Sequence, residues 1–229
     1  MAYLIPTIFG TVPLNPFDVY YLSVGQVMFD KPFLSIRWAT SKGLVNEHLI
    51  QEAASNGHLE ALKYLHKKGV PWDEFTCYSA ARYGHLDCLR YAHEEGCPWD
   101  STTCYSAARY GHLDCLRYAH ENSCPWNRTT CYSAARYGHL DCLRYAHENG
   151  CLWDERTCNA AAMNGHLDYL RYAHENGCPW DEWTCEMAAR NGHLDCLQYM
   201  IENGCPYNRI ICNTSHEHIK LYLLENGIC

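Results

Sequence analysis

Residues Cys77–Glu94 read CYSAARYGHLDCLRYAHE, and the same eighteen residues return at Cys104–Glu121 and again at Cys131–Glu148. A catalytic centre needs each reacting group once, in one place. Verbatim repetition at a fixed step instead describes a unit that is stacked. The pair Gly-His marks the step at Gly57, Gly84, Gly111, Gly138, Gly165 and Gly192, and an aromatic residue marks it independently at Trp72, Trp99, Trp126, Trp153, Trp180 and Tyr207. Both markers advance by 27 residues without slippage, the signature of a solenoid.

One unit, Asp73–Trp99, is DEFTCYSAARYGHLDCLRYAHEEGCPW. Asp73 is a suitable N-cap, and its counterparts Asp100, Asn127, Asp154, Asp181 and Asn208 are always Asp or Asn. The pattern predicts a first helix over about 74–83, with Cys77, Ala80 and Ala81 forming a small-residue face that a neighbour can approach closely. Gly84 should end it in a left-handed conformation. A second helix is expected over about 86–95, with Asp87 in the first turn where the helix dipole favours a negative charge. Gly96 closes it and Pro98 forbids its continuation. Trp99 is expected to pack between adjacent helix pairs. A single such hairpin cannot bury its apolar face, whereas stacked copies can.

These residues resemble a known family. The string A-A-x-x-G-H-L-D-x-L-x-Y-x-x-E-x-G, carried here by Ala80, Ala81, Gly84, His85, Leu86, Leu89 and Gly96 and their copies, is similar to the ankyrin repeat. The consensus wording of the units, GHLDCLRYAHENGCPWD, resembles ankyrin arrays of large DNA viruses of amoebae and of some protists. The resemblance spans residues 46–229 and implies an all-α, right-handed helical-hairpin solenoid whose function is binding other proteins. Units are expected at 46–72, 73–99, 100–126, 127–153, 154–180 and 181–207, with a truncated cap at 208–229. The usual unit has 33 residues, and its Thr-Pro-Leu-His opening is here Thr102-Thr103-Cys104-Tyr105 and its like. The missing residues would have built the β-hairpin fingers, so those are expected to be shortened or absent.

Residues 1–45 contain no full repeat and read as an N-terminal capping segment. Ile8-Phe9, Pro13-Leu14, Asp18-Val19, Leu22-Ser23 and Val27 faintly resemble an F-box, which would make the chain a substrate adaptor of a cullin-type ubiquitin ligase. The usual Leu-Pro-x-Glu opening is replaced by Leu4-Ile5-Pro6-Thr7.

The formal net charge of −8 argues against a nucleic-acid partner, since that affinity comes from cations releasing counterions. No stretch reaches the ~18 apolar residues of a membrane span, and the N-terminus lacks the basic start and cleavage site of a signal peptide. A monomer in the cytoplasm is the expectation. Of the sixteen cysteines, fifteen hold fixed register positions, but Tyr169 and Val70 stand where others have Cys. A disulfide partner would not be exchangeable in that way, so the cysteines read as small buried hydrophobes in a reducing compartment. Fourteen histidines beside them raise the alternative of a zinc-stabilised scaffold. Equivalent cysteines one unit apart, ~8–10 Å, cannot share a metal with Zn–S bonds near ~2.3 Å. His85 and its copies should hydrogen-bond a neighbouring carbonyl, and His93 and its copies should pack. No phosphate loop, nucleophile elbow or unique carboxylate pair is present. No enzyme activity, no cofactor and no catalytic or metal residue is therefore expected.

What varies between units is free to serve a partner. The variable positions fall at the start of each unit and along its first helix. Phe75, Tyr78, Arg82, Tyr105, Arg109, Arg128, Tyr132, Arg136, Arg156, Glu182 and Trp183 are the candidate partner-binding residues. Exposed aromatic and arginine side chains are the types that anchor interfaces.

Overall fold

The computed structural model describes residues 46–229, and the capping segment and its F-box-like positions lie outside them. Within the described residues there are thirteen α-helices, one 3₁₀ turn and no strand. The helices come in pairs: α1 (Glu47–Ser55) and α2 (Leu59–Lys67), α3 (Glu74–Arg82) and α4 (Leu86–Glu94), α5 (Ser101–Tyr110) and α6 (Leu113–Glu121), α7 (Arg128–Tyr137) and α8 (Leu140–Glu148), α9 (Glu155–Met163) and α10 (Leu167–Glu175), α11 (Glu182–Asn191) and α12 (Leu194–Glu202). The 3₁₀ turn Arg209–Asn213 then stands where a first helix would, followed by α13 (Glu217–Glu225). The short links between pairs carry no β-finger.

Each first helix starts as its cap dictates. The side chains of Asp73, Asp100, Asn127, Asp154 and Asp181 all accept a backbone N–H from the first turn. On the opposite face Cys77, Ala80 and Ala81 are fully buried, as are Cys104, Ala107 and Ala108 in the next unit. With no bulk between them, first helices pack on first helices more extensively than second helices pack on second helices. The array therefore bends toward the first-helix layer, which forms its inner face.

The second-helix layer is held apart by larger groups. His93 stacks on Trp99 with ring centroids 3.8 Å apart, Trp99 meets Tyr118 of the next unit edge-on at 6.1 Å, and the Tyr118 hydroxyl is hydrogen-bonded to His93 Nδ1 at 2.9 Å. The same triad joins His66, Trp72 and Tyr91, then His120, Trp126 and Tyr145, then His147, Trp153 and Tyr172. At the next boundary His174 stacks on Trp180, which meets Tyr199 edge-on. The tryptophans thus pack between helix pairs as expected, and the histidines pack while also forming a polar link between units.

The Gly-His turn locks consecutive pairs. Nε2 of His112 donates to the carbonyl of Arg82 in the preceding unit at 3.0 Å, and His85, His166 and His193 do the same to Ser55, Arg136 and Met163. The ring of His112 lies over Gly84, where a Cβ would sit 2.5 Å from Nδ1. Gly84 is thus required twice, by its positive φ of 76° and by the ring above it. Histidine is a poor N-cap for the second helix, and none of these rings caps it. The side chain is committed to the neighbouring unit, and Asp87 and its copies offset the helix dipole instead.

At the second turn, positions Gly96, Gly150, Gly177 and Gly204 also have positive φ, with open space where a Cβ would be. Ser123 holds the same place with φ 67°. Only backbone preference is at stake there, so Ser123→Gly should stabilise the chain by ~0.5–1 kcal/mol in urea unfolding.

Fourteen cysteines are free and buried. The Cys77 thiol is raised far above its ordinary range by its hydrogen bond to Cys97 and by burial, and Cys104, Cys131 and Cys158 behave alike with Cys124, Cys151 and Cys178. Burial pushes Cys88 up to about 12. Those five thiols are protonated packing groups. The expectation fails for one pair: Cys212 and Cys229 are joined in a disulfide, with Cα atoms 6.0 Å apart. Cys229 is the sixteenth cysteine, outside the 27-residue register, and the shortened last hairpin brings it back to the 3₁₀ turn. Among the described residues no three His, Cys, Asp or Glu side chains gather as a metal site. No helix there is long and apolar enough to cross a membrane.

Candidate functional site: the inner-helix surface

On α3, Tyr78 and Arg82 are four residues apart and share a face. The Arg82 guanidinium donates to the Tyr78 hydroxyl at 3.1 Å. Arg109 donates to Tyr105 at 2.8 Å on α5, and Arg136 to Tyr132 at 2.6 Å on α7. The guanidiniums also reach sideways. Arg82 lies 5.4 Å from the ring of Tyr83 and 5.0 Å from that of Tyr110 in the next unit. Arg109 lies 5.5 Å from Tyr110 and 4.5 Å from Tyr137, one unit further on. Rings and guanidiniums therefore alternate in one column that crosses two unit boundaries. Each such contact contributes on the order of 0.5–1 kcal/mol at a partly exposed site. The hydrogen bond to tyrosine comes first among the causes that raise the arginine pKa values, so all three stay charged.

The column is confined to three units. Where it would continue, Asn159, Met163 and Asn164 replace Tyr, Arg and Tyr. One unit later Glu186 is buried in the tyrosine position and forms an ion pair with Arg190. That arginine is neutralised within the chain, whereas those of the column are not.

Of the candidate residues, Tyr78, Arg82, Tyr105, Arg109, Tyr132 and Arg136 are thus gathered into one surface. Phe75, 54% exposed, joins it by an edge contact to Tyr78 at 6.2 Å. Arg128 and Arg156 lie apart from it. Both converge on the N-cap Asp154, at 3.1 and 3.5 Å. Glu182 and Trp183 are exposed in the first turn of α11, away from the column. Tyr83, Tyr110 and Tyr137 complete the stack but were outside the candidate set. Their signal in the sequence was variation: each precedes the turn glycine, and Asn164 and Asn191 replace them in later units.

The second stripe of arginines is distinct. Arg90, Arg117, Arg144 and Arg171 are exposed on the outer helices, each 5.1–5.4 Å from a tyrosine ring of the next unit. They brace the His–Trp–Tyr triads.

Models of ankyrin repeats match residues 50–93, 77–157 and 158–201. The chain belongs to the ankyrin-repeat family. Ankyrin arrays are protein-interaction scaffolds, and the paired helices, Gly-His locks and inner face are those of such an array. A crystal structure of the human ASB11 ankyrin repeat domain is similar, with TM-score 0.61 and 19% identity over 69% of this chain and 84% of that one. At that identity the likeness establishes the fold. No curated protein matches the chain in sequence.

Three histidines, two of them in Gly-His turns and one in a His–Trp–Tyr triad, give the ankyrin array a pH dependence. Burial holds His85 and His139 below their ordinary value of 6.5, and His147 likewise. A base depressed in the folded state is protonated more readily in the unfolded chain. Its contribution is fully present above about 6.5 and is lost as pH falls through the lower folded values. The urea midpoint should therefore drop between pH 7.5 and pH 5.5, before most carboxylates titrate. His85→Gln should flatten that slope.

Proposed function

We propose that this chain is a non-catalytic scaffold that binds a partner protein on its inner-helix surface, through the tyrosine–arginine column of residues 73–153. The observation that carries this reading is the column itself. It is continuous, partly exposed and rich in the residue types that anchor interfaces, and it stops where the units cease to be near-identical. A stacking role alone would favour the same residues in every unit, as it does for the turn histidines. The same residues, held out of water on one side by their neighbours, lose little freedom on binding.

Affinity capture tests this. The full chain and a variant with Tyr105, Arg109, Tyr132 and Arg136 all changed to Ala are used as baits on a lysate of the source organism. Proteins retained by the full chain and lost by the variant support the reading, provided circular dichroism shows the variant folded. Identical captures by both would remove the column from binding. Recovery of cullin-complex subunits by both baits would favour the ligase-adaptor role through residues 1–45.

A further inference from the structure

We propose that the column recognises an extended, polyproline-like segment bearing a carboxylate side chain at every third residue. This rests on the protein-binding reading above and adds the partner's chemistry and register.

Charge gives the first argument. The chain carries −8 overall, yet α5 and α7 contain no acidic residue and carry Arg109, Arg128 and Arg136. Arg128 is paired with Asp154, while Arg82, Arg109 and Arg136 have no ion pair among the described residues. Over α5 and α7 the inner layer is a local positive strip on an acidic protein, and α3 carries Glu74 in its first turn as well as Arg82 in its last.

Geometry gives the second. Ring contacts use the faces of a guanidinium and leave its in-plane donors. One of those donors goes to a tyrosine hydroxyl in each unit. Nε of Arg82 and of Arg109 is buried without a partner, so any donor offered to a ligand lies on the outer amino groups. The side chains are thus fixed by stacking with hydrogen-bonding capacity unspent, a preorganised receptor for carboxylates.

Spacing gives the third. One arginine recurs per unit, and packed helices repeat at ~8–10 Å. A polyproline II helix has three residues per turn and rises ~3.1 Å per residue, so every third side chain faces the same way at ~9.3 Å. A β-strand cannot do this, because residues three apart point to opposite faces. A helical ligand would need acids at every seventh residue, ~10.5 Å apart. The exposed rings of Tyr83 and Tyr137 favour the polyproline form, which docks on aromatic-lined surfaces.

The test is a fluorescence anisotropy titration of the full chain with a labelled twelve-residue peptide of repeating Glu-Pro-Pro at low salt. Comparison peptides repeat Glu-Pro-Pro-Pro, repeat Gln-Pro-Pro, or form a helix with Glu at every seventh position. Tenfold or greater preference for Glu-Pro-Pro over all three is expected. Arg109→Gln with Arg136→Gln should weaken it by tenfold or more. Arg117→Gln with Arg144→Gln makes the same charge change on the outer layer and should alter it less than twofold. Equal binding of the two glutamate spacings, tighter binding of the helical peptide, no binding, or equal effects of the two arginine pairs would each overturn the proposal. Lysate capture that still depends on the column would then leave the broader binding reading standing.

Discussion

Gly84→Ala should destabilise the array by about 2–5 kcal/mol, far more than the same change at Gly96. Both glycines have positive φ, 76° and 85°, and forcing an alanine into that region costs ~1–2 kcal/mol. At Gly96 nothing lies within 4 Å of the added methyl, so the cost ends there. At Gly84 the methyl would meet the His112 ring, with Nδ1 at 2.5 Å and Cε1 at 2.7 Å. That ring cannot swing aside freely, because Nε2 is bound to the Arg82 carbonyl. Either the hydrogen bond breaks or the units separate, adding the ~1–3 kcal/mol typical of overpacking. A double-mutant cycle isolates this term. Gly84→Ala combined with His112→Ala should be less destabilised than the sum of the singles by at least ~1 kcal/mol. Additive singles would mean that the ring does not press on the glycine.

Trp126→Ala should cost about 2–4 kcal/mol, somewhat below the range for a wholly enclosed tryptophan because the ring is half-buried. It removes the stack on His120 at 3.7 Å and the edge contact to Tyr145 at 6.1 Å, at the boundary between residues 100–126 and 127–153. Because each unit touches only its neighbours, weakening one boundary lowers the coupling between the halves on either side. Urea unfolding should therefore become broader, and hydrogen exchange should show the two halves opening at different free energies. Tyr145→Phe is the graded control. It keeps the ring and loses only the bond to His120 Nδ1, for ~1 kcal/mol. A sharp single transition after Trp126→Ala would contradict nearest-neighbour stacking.

The parts of this fold that could be read from sequence are those decided locally. Asp or Asn before each first helix, Gly after it and Trp at a fixed step each depend on a few neighbouring residues, and the structure places them as caps, left-handed turns and inter-unit wedges. The helix bounds came within a residue: Glu74–Arg82 against 74–83, and Leu86–Glu94 against 86–95. What could not be read depends on how one unit is placed on the next. Arg109 reaches Tyr137 across 28 residues, a contact that no periodicity within one unit announces. Tyr169 appeared to be a plain replacement for a buried cysteine, yet its hydroxyl accepts the backbone N–H of Leu140 in the previous unit. The Cys212–Cys229 bond was hidden for the opposite reason. It arises where the repeat fails, and reasoning from register could only exclude it.

The reach of the turn histidine has a consequence for how such a gene can change. His112 meets Gly84, and His139 meets Gly111. If residues 100–126 were excised, His139 would arrive over Gly84 and Tyr145 beside Trp99, so both severed contacts would be remade by identical side chains. Insertion of one more copy works in the same way. Unequal exchange between near-identical coding segments, which ruins most proteins by shifting or deleting part of a core, here yields a folded product of different length. Array length is thereby open to selection in steps of one unit, and with it the number of arginines offered in a row.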